Sequence, residues 1–254
     1  MRKITLFLLT AAILALIGCT GGPSANSVWR VGLLDTELPP LFFQDEQGNL
    51  TGFEVDLLSE VAQRLGKKIE YVKVTNEYEK ALKEKTVDVV WGNVLDTEEA
   101  RKALLLTNPY LKTNQVAVVA KDSGIETKED LNGKELLTVM WTPADQYSKD
   151  GTFGIEFVQI RGFGAYQTTF DSLKDKTAVA VLCDETMAEY MIEKLGDQYI
   201  ILSETLGEAR YAAAFRPNDT QTCKKVQSIL DAIAKDGTGE KLSQQWFQKN
   251  LYIK

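Results

Sequence analysis

The chain has 254 residues, with 29 basic against 36 acidic side chains, no histidine and a formal charge of −7. An acidic balance without a basic tract excludes the clustered Lys and Arg that nucleic acid requires, and the lack of histidine excludes histidine metal sites and histidine acid–base chemistry. The length is too great for a small stapled scaffold and suits one large or two small domains.

In chain order, Met1-Arg2-Lys3 supplies a short positive region, and Ile4 to Ile17 is apolar except for Thr10. This has the length of a signal-peptide core and falls short of the ~20 apolar residues that span a membrane. Leu16-Ile17-Gly18-Cys19 resembles the bacterial lipoprotein box, which implies removal of residues 1–18 and a diacylglyceryl group on the sulfur of Cys19. Two acyl chains suffice for stable anchoring at the extracytoplasmic face of a membrane. Residues 19–27, rich in Gly, Pro and Ser, read as a flexible tether. The 236 residues left after cleavage carry 27 basic and 36 acidic side chains, near −9.

From Val28 onward short apolar runs alternate with amphipathic stretches, the pattern of an α/β protein with mainly parallel sheets. Strands are predicted at 28–34, 69–74, 87–91, 115–120, 135–140, 155–160 and 177–182. Helices are predicted at 54–65, 77–84, 98–105, 166–175, 185–195, 219–235 and 239–249. In the first helix Val55, Leu58, Val61, Ala62 and Leu65 share a face, and Gly66 supplies the stop. Asp45-Glu46-Gln47-Gly48-Asn49 reads as a tight turn within a hairpin, and Asp236-Gly237-Thr238 as a turn between helices. Beyond Cys19 the cysteines are Cys183 and Cys223. A disulfide is permitted outside the cell, and two buried free thiols are the preferred reading.

Several stretches in order resemble one family. Val31-Gly32-Leu33 leads through Leu38-Pro39-Pro40-Leu41-Phe42 to Gly52-Phe53-Glu54-Val55-Asp56-Leu57; Val87 to Gly92, Thr107-Asn108-Pro109-Tyr110 and Asp130 to Lys134 follow. Phe215 to Thr220 and Asp236-Gly237-Thr238 with Trp246-Phe247 complete the series. Almost the whole mature chain is thus similar to the family 3 extracellular solute-binding proteins, which serve polar amino-acid importers. The resemblance implies a two-lobe, periplasmic-binding-protein-like fold of type II, with a ligand cleft between lobes joined by two crossing strands. Lobe 1 is expected at 28–111 plus 208–254 and lobe 2 at 112–207.

The same resemblance implies the site. Asp184, at the end of a strand and the start of a helix, matches the family aspartate that takes the α-ammonium, and it can cap the helix as well. The carboxylate clamp is less regular. Ala100 stands where the family carries arginine, with Arg101 one residue later. One helical step rotates a side chain by ~100°, so either the helix starts late and Arg101 still reaches the cleft, or the clamp is missing. Leu38 stands at the family's aromatic position before the Pro loop. Gly92-Asn93-Val94-Leu95 occupies the first-lobe contact loop, with Asn93 offering both donor and acceptor. The second-lobe amide nest reads Trp141-Thr142-Pro143, and proline has no amide hydrogen to donate. Trp141 offers a stacking face for an ammonium or belongs to the lobe core. Asp35, Glu37 and Glu54 lie near the cleft mouth or are surface acids.

The function implied is capture of a small amino-acid-like solute, with a cationic or modified amino acid or a polyamine-like amine favoured by the weakened carboxylate site, and delivery to an ABC permease. No cofactor is expected, and a monomer is the family default. A ligand-sensing subunit for a membrane receptor and a cyclohexadienyl-dehydratase-like enzyme on the same fold are the alternative readings.

Overall fold

Two sets of apolar runs build two sheets in the computed structural model, which describes residues 27–157 and 159–253. The expected signal segment 1–18 and the lipid-attachment residue Cys19 lie outside the described residues. The first part of the chain contributes β1 (Val28–Leu34), the hairpin β2 (Phe43–Gln44) and β3 (Leu50–Thr51), α1 (Phe53–Leu65), β4 (Lys68–Val74), α2 (Tyr78–Lys83), β5 (Val89–Val90), α3 (Glu98–Ala103) and β6 (Leu105–Leu106). Next come β7 (Leu111–Ala120), β8 (Glu135–Val139), α4 (Pro143–Asp150), β9 (Gln159–Phe163), α5 (Tyr166–Lys174), β10 (Ala180–Asp184), α6 (Glu185–Leu195), β11 (Tyr199–Ile201) and β12 (Gly207–Tyr211). The chain ends with β13 (Ala214–Phe215), α7 (Thr220–Asp236) and α8 (Thr238–Phe247).

The first sheet has the order β4-β1-β5-β13-β6. β1 pairs parallel to β4 from Val28↔Lys68 to Leu34↔Val74 and parallel to β5 through Val31↔Val89. The second sheet runs β11-β7-β10-β8-β9, with β12 also on β7. β10 is buried along its whole length, as expected of a strand covered on both faces. Each sheet thereby builds one α/β lobe. β7 leaves the first sheet after β6 and β12 returns to β13, and the two strands pair antiparallel from Gly207↔Gln115 to Tyr211↔Leu111. This ribbon joins the lobes. The C-terminal segment docks on it, Tyr252 bridging Leu111 and Lys112 N–H donating to the Leu251 carbonyl at 3.1 Å.

Local chemistry accounts for most element ends. Gly66 closes α1 in the left-handed conformation at φ 66°, its N–H bonding the last-turn carbonyls. Asp45 Oδ1 accepts from the N–H groups of Gln47 and Asn49 at 2.9 and 2.8 Å, which closes the β2–β3 turn. The expected strand 155–160 is found later, as β9 at 159–163, and the expected strand 177–182 as β10 at 180–184. Helix α4 falls where the sequence reading placed no element. Thr142 Oγ1 accepts from Asp145 N–H and Pro143 starts the first turn, so Thr142-Pro143-Ala144-Asp145 is a helix start and not the loop expected from the sequence. Cys183 lies in β10 and Cys223 in α7; both are buried free thiols. No helix among the described residues is long and apolar enough to cross a membrane.

Candidate functional site

Three parallel strands of the first lobe, β1, β4 and β5, end at Leu34, Val74 and Val90, and their carboxyl ends face the second lobe across a cleft. Open α/β sheets bind ligands at such ends. Two cavities lie in the cleft. The smaller, about 270 Å³, is bounded by Asn76, Asn93 and Leu95 on one side and by Trp141, Thr142 and Lys149 on the other. The larger, about 600 Å³, lies between the Asp35–Gln44 loop with β4 and the starts of α5 and the end of α6. Leu34 lines both.

The smaller cavity is organised by two residues in the left-handed region, Asn93 at φ 74° and Trp141 at φ 67°. Asparagine tolerates that conformation, whereas a bulky tryptophan rarely adopts it. Asn93 Nδ2 donates to the Trp141 carbonyl at 2.8 Å and so ties the lobes together. Because only the amide nitrogen can donate to a carbonyl, Asn93 Oδ1 is left as an acceptor, and it is buried without a partner. Gly92, also left-handed at φ 64°, lies against Phe42; a Cβ there would meet the Phe42 ring at 3.2 Å. Val94 and Leu95 are buried at 1% and 6% exposure and complete the wall from the first lobe.

Across the cleft, the amides of the 141–142 loop are used internally. Trp141 N–H donates to Asp145 Oδ2 at 2.9 Å and Thr142 N–H to the Val139 carbonyl at 3.4 Å. Pro143 has no N–H, so the loop offers a ligand carboxylate little of the amide nest that the family resemblance implies. Asp145 is buried and also takes Lys149 Nζ at 2.8 Å. The 37% exposure of the Trp141 side chain places it at the cavity, not in the lobe core.

Asp184 sits elsewhere. It occupies the N-cap position of α6 but makes no side-chain cap bond. Its carboxylate accepts from Gln115 Nε2 of β7 and from the Tyr211 hydroxyl of β12, one on each oxygen. Burial pushes its pKa up to about 6, against the opposing effect of those two hydrogen bonds. It lines neither cavity. Arg101 is outside them too. Thr97 Oγ1 caps α3 by accepting from Ala100 N–H at 3.1 Å, and Arg101 then pairs with Asp96 at 2.5 Å and donates to the Thr107 carbonyl at 3.2 Å.

Leu38 is a core residue at 3% exposure, bridged to Phe42. Asp35 is exposed at the rim of the larger cavity and pairs with Lys73 at 2.7 Å. The structure therefore brings Asn93, Val94, Leu95, Trp141 and Thr142 together around one cavity, puts Asp35 on the other, and leaves Asp184, Arg101 and Leu38 outside both.

Glu54 departs furthest from its reading as a mouth or surface acid. It is fully buried beneath Gly92, and its Oε2 accepts from Trp91 Nε1 at 2.8 Å and the Tyr110 hydroxyl at 2.9 Å. The two rings stack at 5.1 Å. Oε1 has no partner, and burial pushes the pKa up to about 8. Two aromatic donors converging from positions 91 and 110 explain why an acid is accommodated inside a core. The sequence reading also missed Asp145 and Lys149, whose i, i+4 spacing on the Thr142-capped helix was the available signal, and the tyrosines 71, 166 and 190 of the larger cavity, which no local pattern marks.

Known proteins share this chain's sequence pattern and its two-lobe fold. The L-cystine-binding protein TcyJ of Escherichia coli (strain K12) is 28% identical over 222 residues, spanning 85% of this chain and 81% of that protein. Among solved structures, a mutant of ArgBP from T. maritima is 33% identical with a TM-score of 0.76, covering 88% of this chain and 96% of that one. An ABC uptake transporter substrate-binding protein from Streptococcus pneumoniae with bound histidine is 25% identical with a TM-score of 0.80, covering 89% and 95%. The model of the bacterial extracellular solute-binding proteins, family 3, matches residues 30–249, which takes in both sheets and the ribbon between them. The chain belongs to that family, and its role is that of a substrate-binding protein.

Proposed function

We propose that this protein captures a small amino-acid-like solute outside the cytoplasmic membrane, in the smaller cavity beside Asn93 and Trp141, and delivers it to an ABC permease. The observation that carries the reading is the two-sided wall of that cavity: residues of both lobes line it, and the Asn93–Trp141 hydrogen bond spans the cleft. A ligand held by both sides favours the closed arrangement over the open one, and that difference is what a permease can recognise. Binding and release require no covalent chemistry, which supports a transport protein over an enzyme. Lobe 1 is read as 28–111 plus 208–254 and lobe 2 as 112–207, with hinge motion at the ribbon. The signal segment and Cys19 support a lipid-anchored monomer at the extracytoplasmic face.

The charge of the walls favours a zwitterion over the cationic amines that the sequence suggested. Asp145 and Lys149 in the smaller cavity balance each other, so an added cation meets no excess of negative charge. Asp184 serves the site in this reading by fixing Tyr211 and Gln115 of the ribbon, rather than by touching the ligand.

The test is thermal unfolding of the full chain in detergent against amino acids, modified amino acids and polyamines. A ligand at one hundred times its Kd stabilises a protein by about 2.7 kcal/mol. A zwitterionic ligand whose effect disappears in Trp141→Ala and survives in Arg101→Ala is the expected result; loss in Arg101→Ala alone would contradict it. Release of Cys19→Ser protein from the membrane fraction is the expected outcome for the anchor.

A further inference from the structure

The loop that carries Asn93 is held from beneath. Trp91 N–H donates to the Gly32 carbonyl of β1 at 3.0 Å, and its indole Nε1 donates to Glu54 Oε2 at 2.8 Å. The Tyr110 hydroxyl, one residue before β7, donates to the same oxygen at 2.9 Å, and Glu54 N–H donates to the Leu41 carbonyl at 2.9 Å. One carboxyl thus joins the first turn of α1, the cleft loop and the foot of the ribbon. Gly92 lies over it: a Cβ there would come within 3.4 Å of Glu54 Cγ, and the same residue lines the smaller cavity. Asn93 follows and donates across the cleft to the Trp141 carbonyl at 2.8 Å. Three consecutive residues, Trp91-Gly92-Asn93, therefore connect the buried acid to the second lobe.

The other carboxyl oxygen, Oε1, is buried without a partner. The titratable groups that face Glu54 from the elements packed on it are the hydroxyls of Tyr110, of Tyr211 on β12 and of Tyr252 in the C-terminal segment, with no cation among the described residues. A neutral acid suits these surroundings, whereas a carboxylate sets an unpaired charge inside the core. Relief of that charge needs water at Oε1, and Gly92 stands between the acid and the smaller cavity. We propose that Glu54 is a positioning residue for the cleft: as a neutral acid it fixes Trp91-Gly92-Asn93 against the second lobe, and loss of its proton admits water past Gly92 and frees the loop. This role rests on the reading of the smaller cavity as the binding site and adds its regulation, since capture holds in acid and neutral surroundings and fails in alkaline ones. Burial pushes the Glu54 pKa up to about 8, against the opposing effect of the Tyr110 and Trp91 hydrogen bonds. The proton is held below that value and lost above it, so affinity falls as pH rises through it, by up to about tenfold per pH unit.

Backbone hydrogen exchange, corrected for the intrinsic pH dependence of exchange, reads the loop with no solute present. In the full chain in detergent, protection of residues 91–94 is expected to fall at least tenfold from pH 6.5 to pH 9 while protection in α7 holds. Glu54→Gln keeps an acceptor for Trp91 and Tyr110 and has no proton to lose, and its loop is expected to stay protected at both. Tyr110→Phe removes a donor that favours the ionised acid, so the midpoint of the change is expected at higher pH than in the wild type. Parallel exchange profiles of the wild type and Glu54→Gln, loss of protection in α7 together with the loop, or a midpoint unmoved or lowered in Tyr110→Phe would overturn the inference; the last of these decides alone if Glu54→Gln does not fold. Calorimetric titration with L-arginine, L-glutamine and L-alanine then reads the cleft. The tightest of the three is expected to lose at least fivefold more affinity over the same pH range in the wild type than in Glu54→Gln, a difference that removes the titration of the solute itself. Equal losses in the two proteins would overturn control of binding by Glu54. Silence from all three solutes would count against the cleft reading, while the exchange profiles still decide whether Glu54 positions the loop.

Discussion

Glu54 and Asp184 are acids whose folded pKa values lie above their ordinary ones, at about 8 against 4.5 and about 6 against 3.8. Between each pair of values the native carboxyl holds a proton that the unfolded chain has released, so each group's contribution to stability is greatest below the unfolded pKa and is lost as pH rises to the folded one. The slope within the window approaches ~1.4 kcal/mol per pH unit per group. Glu54→Gln keeps an acceptor for Trp91 and Tyr110 and cannot ionise. Urea midpoints at pH 5, 6, 7 and 8 should therefore fall less steeply in this variant than in the wild type; parallel curves would mean that Glu54 is ionised in the native protein. A second prediction concerns Gly92, whose left-handed φ strains any side chain and whose 3.2 Å approach to Phe42 would require that ring to shift. Gly92→Ala should cost about 1–3 kcal/mol and weaken ligand binding together with stability.

At the scale of elements, α4 depends on its first turn. Thr142 Oγ1 accepts from Asp145 N–H and donates to the Val139 carbonyl at 2.7 Å, so the residue both caps the helix and holds the loop that carries Trp141. Thr142→Ala should cost about 1 kcal/mol and weaken binding further by loosening Trp141, whereas Thr142→Ser should restore both. Equal stability of all three forms in chemical denaturation would remove the cap from the account. The ribbon is the other element with a specific role. Tyr211 and Gln115 reach Asp184 from its two strands, and Leu111 bridges the C-terminal segment, so both strands of the ribbon are tied to β10 and one of them to the end of the chain.

For the whole molecule, a second set of contacts joins the lobes beside the larger cavity. Lys249, after α8, pairs with Glu185 at 3.2 Å and Glu189 at 2.8 Å on α6, and Phe43 of the hairpin packs on Tyr190 at 5.6 Å. Partly exposed pairs contribute up to ~1 kcal/mol and are screened by salt. Lys249→Ala should accordingly shift the population toward the open form by a few-fold at low salt and less at high salt. Small-angle scattering at 20 mM and 500 mM salt reads this as a larger radius of gyration in the variant, and identical profiles would assign these charges to the surface alone.

What the sequence determined by itself is whatever depends on near neighbours. The apolar runs of β1 and β10, the stripe and glycine stop of α1, the Asp45 turn and the order of family landmarks are all local patterns, and they suffice for an α/β chain of this family. The helix start Thr142-Pro143-Ala144-Asp145 is an equally local pattern. Only the tertiary structure decided which acids are buried and which side chains meet. Glu54 stands 37 and 56 positions from its donors Trp91 and Tyr110, and Asp184 stands 69 and 27 from Gln115 and Tyr211. Asn93 reaches Trp141 across 48 residues. Burial and hydrogen bonding over such separations are properties of the packed lobes, and no periodicity along the chain encodes them. The same holds for the two cavities, whose sizes and balanced charges exist only once the ribbon has set one lobe against the other.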